Sequence, residues 1–299
     1  MDKLLAMSTF VQIVDSGSLT AAAEVLEKSL PSVVRVLATH EQALGVRLLN
    51  RTTRKIALTD EGHRYLERCR QIISEIKDAE HELSAQQSEP TGKLRLTSPV
   101  LFGQFHVTPL VTNFLKLFNQ VEIDLLLLDR VVNLVDEGFD VAIRIGELED
   151  SSLIAKRVGE VRRVVCASPE LIKSTGIPNH PNDLSKLQCT RHTGIASRDH
   201  WNFYENGKQK TVSIHGPLAC NHAAATIQAC TQGLGYGMFL SYQVDSFLRS
   251  KQLNIVLADY EPAPFPVHIV FPQTKLIATR VRAFVDWMTV ELRKALNLG

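Results

Sequence analysis

Residues 16–59 read SGSLTAAAEVLEKSLPSVVRVLATHEQALGVRLLNRTTRKIALT, and this stretch decides how the N-terminal part of the chain folds. Ser18 precedes the helix-forming run LTAAAEVL and stands where an N-cap belongs. A tight turn is expected around Lys28 to Leu30, with Ser29 as the next cap and Pro31 at the first position of the following helix. There the missing N–H of proline is harmless and its fixed φ suits helix initiation. Gly45 stops that second helix. From Arg47 to Lys55 the chain carries Arg47, Arg51, Arg54 and Lys55 with no acid, on what reads as a small hairpin with a basic tip. Two helices joined by a short turn and followed by a cationic hairpin outline a winged helix-turn-helix, which seats its second helix in the DNA major groove. The bland alternative is a helical hairpin with a solvated charged loop.

Working outward, residues 4–14 place Leu4, Leu5, Phe10, Val11 and Val14 at helical spacing, a first helix backing the two that follow. Ala22, Ala23, Leu26, Val33, Val36, Leu37 and Leu44 are expected to close a three-helix core. His40 lies on the same face and reads as a half-buried core position. From Asp60 the run DEGHRYLERCRQIISEIKDAEHELSAQQ predicts one helix about 40 Å long at 1.5 Å per residue. Leu66, Cys69, Ile73, Ile76 and Leu83 alternate three- and four-residue steps along it, with Glu80 interrupting one seam position, so the stripe is heptad-like. A long helix with one narrow apolar seam is most economically covered by a second copy of itself. Pro90 and Gly92 then break the helix. These signals divide the chain into a DNA-binding head (1–59), a linker and dimerisation helix (60–88) and a third domain (92–299).

After Gly92 the rhythm changes to alternating strands and helices. LRLTS (94–98), VEIDLLLL (121–128) and FDVAIRIG (139–146) read as strands, FGQFHVTPLVTNFLKLF as a helix and VVNLVDEG as a short helix. RRVVCAS begins a second alternation, CNHAAATIQACTQGLGYGMFL gives helix then strand, and PVHIVFP precedes a terminal amphipathic helix. Near-continuous apolar strands in such units predict a mainly parallel α/β sheet covered on both faces.

The length of 299 residues suits two or three units, and 44% hydrophobic with 22% charged residues is ordinary for a globular chain. No run reaches the length of a membrane span and MDKLLAMSTF has no signal-peptide pattern, so a cytoplasmic, nucleoid-associated protein with no membrane partner is expected. A net charge of +1 excludes a generic polycation, so nucleic-acid binding would rest on a local patch. Cys69, Cys166, Cys189, Cys220 and Cys230 include no C-x-x-C pair, which argues against a disulfide framework or zinc site and for packed thiols. The sequence offers no G-x-S-x-G elbow, P-loop, H-E-x-x-H or dinucleotide fingerprint, and CTRH at 189–192 lacks a spaced partner. No enzyme, cofactor or metal site is expected.

AAAEVL, SLPSVVR and LGVRLLNRTTRKIALTDEG closely resemble the N-terminal domain of LysR-type transcriptional regulators. SPVLFGQFH, DRVVNLVDEGFDVAIRIGELEDSSLIAKRVGEVRRVVCASPEL and QGLGYGMF are similar to the CrgA-like branch of that family. The resemblance spans essentially the whole chain and is thinnest between Leu187 and Pro217. It implies an effector domain like a periplasmic binding protein, with two hinged lobes (about 92–161 with 268–299, and 162–267) and a last strand and helix crossing back to the first lobe. It further implies linker helices that pair two subunits, so a homodimer or homotetramer on double-stranded DNA, with RNA polymerase as a candidate further partner. The family usually carries an apolar residue, most often leucine, where this chain has His40.

For DNA contact the residues are Ser32, Val34 and Arg35, with Pro31 shaping the start of the helix, Arg51 and Arg54 on the wing, and Ser18 and Thr20 toward backbone oxygens. Two departures from the family stand out: Leu30 where glutamine often precedes the proline, and Val34 where serine often precedes the arginine. A small-molecule effector is expected between the lobes at the carboxyl ends of the strands. Candidate contacts there are Thr97, Ser98, Pro99, Val100, Asp129, Arg144 and Gly146 from one lobe and Trp201, Phe203, Asn221 and His222 from the other. Backbone N–H groups after Ser98 could hold an anion. The competing reading is a small-molecule-binding protein or enzyme with a helical N-terminal oligomerisation arm.

Overall fold

The computed structural model describes residues 2–52, 55–84, 89–148, 153–194, 199–273 and 277–297. Two units emerge: Met1–Pro90 with the short segments Val135–Gly138 and Leu276–Thr279, and the remainder of the chain.

The first unit begins with α1 (Lys3–Ser16), α2 (Leu19–Val25) and α3 (Leu30–Leu44). Ser18 caps α2, its hydroxyl accepting from the Ala21 N–H at 3.0 Å. Ser29 precedes α3 but makes no side-chain cap, and Pro31 occupies the second helical position, Leu30 the first. Gly45 ends α3 with φ of 71°, a left-handed conformation that glycine reaches without steric cost. The wing is β1 (Leu49–Thr52) paired antiparallel with β2 (Lys55–Leu58), and α4 (Asp60–Ser84) follows. The Thr59 hydroxyl accepts from the Gly62 N–H at 2.9 Å in N-cap fashion. Gly62 allows the helix to pass close to the wing, because a Cβ there would lie 2.1 Å from the Leu48 carbonyl oxygen.

The core of this unit differs from the expected one in four places. On α1 the buried residues are Ala6, Thr9, Phe10 and Ile13, while Leu4 and Leu5 are exposed, so the inward face is rotated from the one read off the sequence. Leu44 is exposed at the end of α3. His40 is fully rather than half buried, at 3% exposure. Leu66 and Cys69 do not face outward toward a second copy: both are buried in the head's own core with Phe10, Ile13, Val33, Leu37 and Leu48. The first three turns of α4 thus complete the head.

The second unit contains two five-stranded sheets. The first has β3 (Gly92–Ser98), β4 (Val121–Leu127), β5 (Val141–Ile145), β6 (Leu153–Val161) and a late strand, β14 (Phe265–Pro272), in the order β4-β3-β5-β14-β6. Between β3 and β4 run α5 (Val100–Phe102), a π-turn (Gly103–Val107) and α6 (Thr108–Leu117). The second sheet has β7 (Arg163–Ala167), β8 (Gln188–His192), β11 (His215–Cys220), β12 (Tyr236–Leu240) and β13 (Asn254–Val256), in the order β11-β8-β12-β7-β13. Around it lie α7 (Pro169–Thr175), the hairpin β9 (His200–Glu205) and β10 (Lys208–Ser213), α8 (Ala223–Thr231) and α9 (Ser241–Arg249). The chain returns to the first lobe through β14 and ends in α10 (Thr279–Asn297). Two lobes with a crossing-back strand and helix agree with the expected architecture.

The sheets are mixed rather than mainly parallel. In the first, β3 pairs parallel with β4 and β5, but β14 runs antiparallel to both β5 and β6. The second repeats the pattern, with β12 antiparallel to β7 and β7 to β13. The antiparallel half arises because the chain enters and leaves each lobe through the hinge strands, and apolar runs do not encode direction. The VVNLVDEG segment is a turn rather than a helix, with the Phe139 N–H donating to the Leu134 carbonyl at 2.8 Å. All five cysteines are free thiols, buried except for half-buried Cys220. Burial pushes the Cys189 and Cys230 thiols up to about 12, so they are protonated and unreactive at neutral pH. Among the described residues no helix is long and apolar enough to cross a membrane.

Candidate nucleic-acid interface and ligand cleft

The outward face of α3 carries Leu30, Pro31, Ser32, Arg35, Ala38, Thr39 and Gln42, all exposed, while Val33, Leu37 and His40 face the core. Sequence reasoning placed Pro31, Ser32 and Arg35 on this face. Val34 is half-buried at its edge. It missed Ala38, Thr39 and Gln42, although stepping by three and four from Arg35 would have found them. The Thr39 hydroxyl donates to the Arg35 carbonyl at 2.8 Å. Thr20 is exposed on α2, whereas Ser18 is half-buried and its hydroxyl is occupied by the cap.

The wing is fixed to α3 by one carboxylate. Glu41 Oε1 accepts from the backbone N–H groups of Leu48 and Leu49 at 2.8 and 3.2 Å. A charge-assisted pair of this kind orients β1 as a continuation of the α3 surface. Arg47 is exposed just before the wing. Arg51 lies on β1 opposite Ile56, but its side chain and the whole of Arg54 fall outside the described residues.

On α4, Ile73 and Ile76 are half-buried and Ile72 is exposed, beyond the part absorbed by the head; the Leu83 side chain lies outside the described residues. A further tie, the ion pair between Arg70 and Asp15, holds α4 to α1.

Between the lobes, the 100–117 helix starts at the end of β3. Its first free N–H, on Val100, is already taken: Asp129 Oδ1 accepts from it at 2.9 Å. One of the N–H groups expected to hold an anion after Ser98 is therefore bonded to the chain's own carboxylate, where the helix dipole favours it. Ser98 is fully buried and caps nothing, and Pro99 holds the N-cap position without a side-chain bond. The Thr97 hydroxyl is buried with no hydrogen-bond partner among the described residues. Arg144 is half-buried and its Nη2 donates to the Val132 carbonyl at 3.3 Å. Gly146 has φ of 114° and donates its N–H to the Pro266 carbonyl at 2.9 Å, a turn that only glycine makes without strain.

Two expected residues of the facing wall are not there. Trp201 and Phe203 alternate with exposed neighbours on β9 and point into the second lobe's core with Leu184, Val212, Ile214 and Tyr236. Asn221 and His222 are exposed at the end of β11, with His222 at the N-cap of α8. The residue missed is His192, the last of β8. It is only 4% exposed, and neither ring nitrogen has a hydrogen-bond partner among the described residues. Burial holds its pKa below the usual histidine value, and the Asp129 carboxylate of the other lobe acts against that shift. The end-of-strand rule would have identified it. The lobes also meet through rings: Tyr242 packs edge-on against Phe102 at 5.2 Å and against His106 at 5.8 Å between ring centroids. Among the described residues no group of His, Cys, Asp and Glu could hold a metal ion.

A winged helix-turn-helix head in one chain with a two-lobed ligand-binding fold defines a ligand-responsive DNA-binding regulator. Residues 4–63 match the family model "Bacterial regulatory helix-turn-helix protein, lysR family", and residues 87–293 match "LysR substrate binding domain". The chain belongs to the LysR family of transcriptional regulators. It is 34% identical over 292 residues to an HTH-type transcriptional repressor of Pseudomonas aeruginosa, covering 96% of this chain and 92% of that one. It is 32% identical to the transcriptional regulator CrgA of Neisseria meningitidis, covering 96% of each. The solved structure of CrgA superposes with a TM-score of 0.62 at 30% identity, over 96% of this chain and 98% of that one. Full-length AphB, a Vibrio cholerae virulence activator, gives a TM-score of 0.62 at 25% identity over 95% and 98%. The family assignment favours the regulator over the reading of a binding protein or enzyme with an added helical arm.

Proposed function

We propose that this regulator grips two half-sites of double-stranded DNA as a homodimer or homotetramer, and that a small molecule between the lobes alters the angle or spacing of its heads. The division of labour is a head at 1–59, a pairing helix at 60–88 and a sensor at 92–299. The observation that carries the DNA reading is the polar outward face of α3, with exposed Ser32 and Arg35, joined to the wing through Glu41. Arg35 reads bases, Ser32 and Val34 support it, and Pro31 sets the close approach of the helix. Arg51 and Arg54 contact phosphates, as does Thr20, with Ser18 holding α2 in place. Pairing uses Ile73, Ile76 and Leu83 together with Ile72, since Leu66 and Cys69 are consumed by the head. In the cleft, Thr97, Ser98, Pro99, Val100, Asp129, Arg144, Gly146, Asn221 and His222 are joined by His192 as effector contacts. The protein acts without catalysis or cofactor, in the cytoplasm on the nucleoid, and RNA polymerase is a further partner at promoters.

The test is a fluorescence-anisotropy titration on a DNA sequence enriched by the protein from a random pool. Arg35→Ala should cost about 1–3 kcal/mol and relax base preference. Arg51→Ala should weaken all sequences alike and lower the salt slope by about one. Unchanged specific binding by the Arg35 variant would remove α3 from the interface.

A further inference from the structure

His40 sits on the inner face of α3, the helix that presents Arg35 outward, and Tyr65 sits in the second turn of α4. Their side chains share a hydrogen bond, Tyr65 Oη to His40 Nε2, at 3.0 Å, with ring centroids 5.5 Å apart. Tyr65 also packs on Phe10 of α1 at 5.9 Å, so one ring touches both neighbouring helices. Cys69, one turn further along α4, is fully buried in the same core. Burial keeps the imidazole uncharged by lowering its pKa, and raises the phenol to about 12, so the bond joins two neutral groups.

We propose that the half-buried His40–Tyr65 hydrogen bond is a register lock: it holds the DNA-reading helix at one angle to the long helix α4, which makes both residues positioning residues for the spacing of half-sites. The inference rests on the DNA-reading role of α3 given above. Apolar contact is nearly indifferent to a small roll of one helix on another, because it depends on area. A hydrogen bond weakens steeply with distance and angle, so a buried polar pair selects one arrangement, at some cost in stability. Leverage makes that selection matter. Twenty-five residues of α4 extend about 37 Å at 1.5 Å per residue. A tilt of about 10° at its base would displace the far end by roughly 6 Å, nearly two base-pair steps of about 3.4 Å. The geometry at this one joint therefore sets where the second head of a pair meets DNA.

The experiment uses the full-length protein and the operator it enriches from random DNA. Affinity is measured for that operator, for versions with one or two base pairs inserted or removed between half-sites, and for an isolated half-site. The variants are Tyr65→Phe, His40→Leu and the double variant. The double variant removes both polar groups at nearly constant volume and leaves no orphaned donor, so it should melt no lower than the parent. The expected result is that the parent loses about tenfold or more on a one-base-pair shift. The double variant should lose less than about threefold while keeping its half-site affinity, and Tyr65→Phe should fall between. A double variant as discriminating as the parent, a parent indifferent to spacing, or a folded double variant with no half-site affinity would each overturn the lock. A parent that enriches no DNA would overturn the assignment of α3 and the lock with it.

Discussion

In the head, Ser32, Arg35 and Thr20, proposed to meet DNA, are exposed, and the joints behind them are polar: His40 to Tyr65, Glu41 to the Leu48 and Leu49 N–H groups, Thr59 to Gly62. In the two-lobed unit the arrangement is inverted. Each lobe is held by continuous apolar clusters, such as that around Trp201, Phe203 and Tyr236. The buried polar groups without a hydrogen-bond partner among the described residues there include His192 and Thr97, near strand ends. The difference follows from the targets. A duplex is large and charged and must be met by a rigid convex surface, whereas a small molecule must be surrounded and desolvated. Small heads have little core to spend on orientation, so directional bonds fix their helices; the larger lobes can rely on area.

The strongest way to break this contrast is to remove an apolar anchor from a lobe. Trp201→Ala should destabilise the second lobe by about 3–5 kcal/mol, seen as a lower urea midpoint, with the DNA affinity of the surviving folded protein unchanged. A stable variant with altered ligand binding instead would return Trp201 to the cleft. Next in size is Gly62→Ala in the head, where a Cβ would meet the Leu48 carbonyl oxygen at 2.1 Å. The backbone must shift, and a loss of about 2–3 kcal/mol is expected from a thermal melt, with β1 and β2 losing amide-exchange protection. A protected wing in that variant would show that α4 and the wing are not in fixed contact.

Acid should act on both regions. His40, His106, His192 and His268 all have pKa values lowered chiefly by burial. The unfolded chain then binds more protons, so stability is complete above about 6.5 and falls as pH drops through the lowered folded values. Urea midpoints should decline from pH 7.5 to pH 5.5, and less steeply in His192→Gln. An equal slope in that variant would mean His192 is not buried uncharged. The smallest effect is expected for Asp129→Asn, which removes the charge at the start of the 100–117 helix but keeps an acceptor. It should cost about 0.5–1 kcal/mol and sharpen the comparison by opening that helix start to an added anion such as benzoate, read by calorimetry.

Much of the head was legible in sequence because its signals are local. Ser18, Gly45 and the alternation on α3 act within a few residues, and cap, break and face follow from them. The inward face of α1 was misread because Leu4 and Leu5 are apolar yet exposed, while small Ala6 and polar Thr9 fill the tight approach to its neighbours. Trp201 and Phe203 were misread as lining a cleft since aromatic residues suit either a core or a ligand wall. Only the β9–β10 hairpin, pairing Trp201 with Val212, decides between them. His192 has no spaced metal partner in the sequence, and its place at a strand end is the better clue to its role.

Residue order alone determined the helix-turn-helix, the succession of strands and helices and the family, because periodicity, caps and turn residues act over short distances. Only the folded chain decided that Leu66 and Cys69 belong to the head's own core, that each sheet is half antiparallel, that Asp129 bonds the Val100 N–H at the helix start, and that His40 meets Tyr65. Those outcomes depend on which distant surfaces pack together, and apolar or polar character does not specify a partner until the chain has closed on itself.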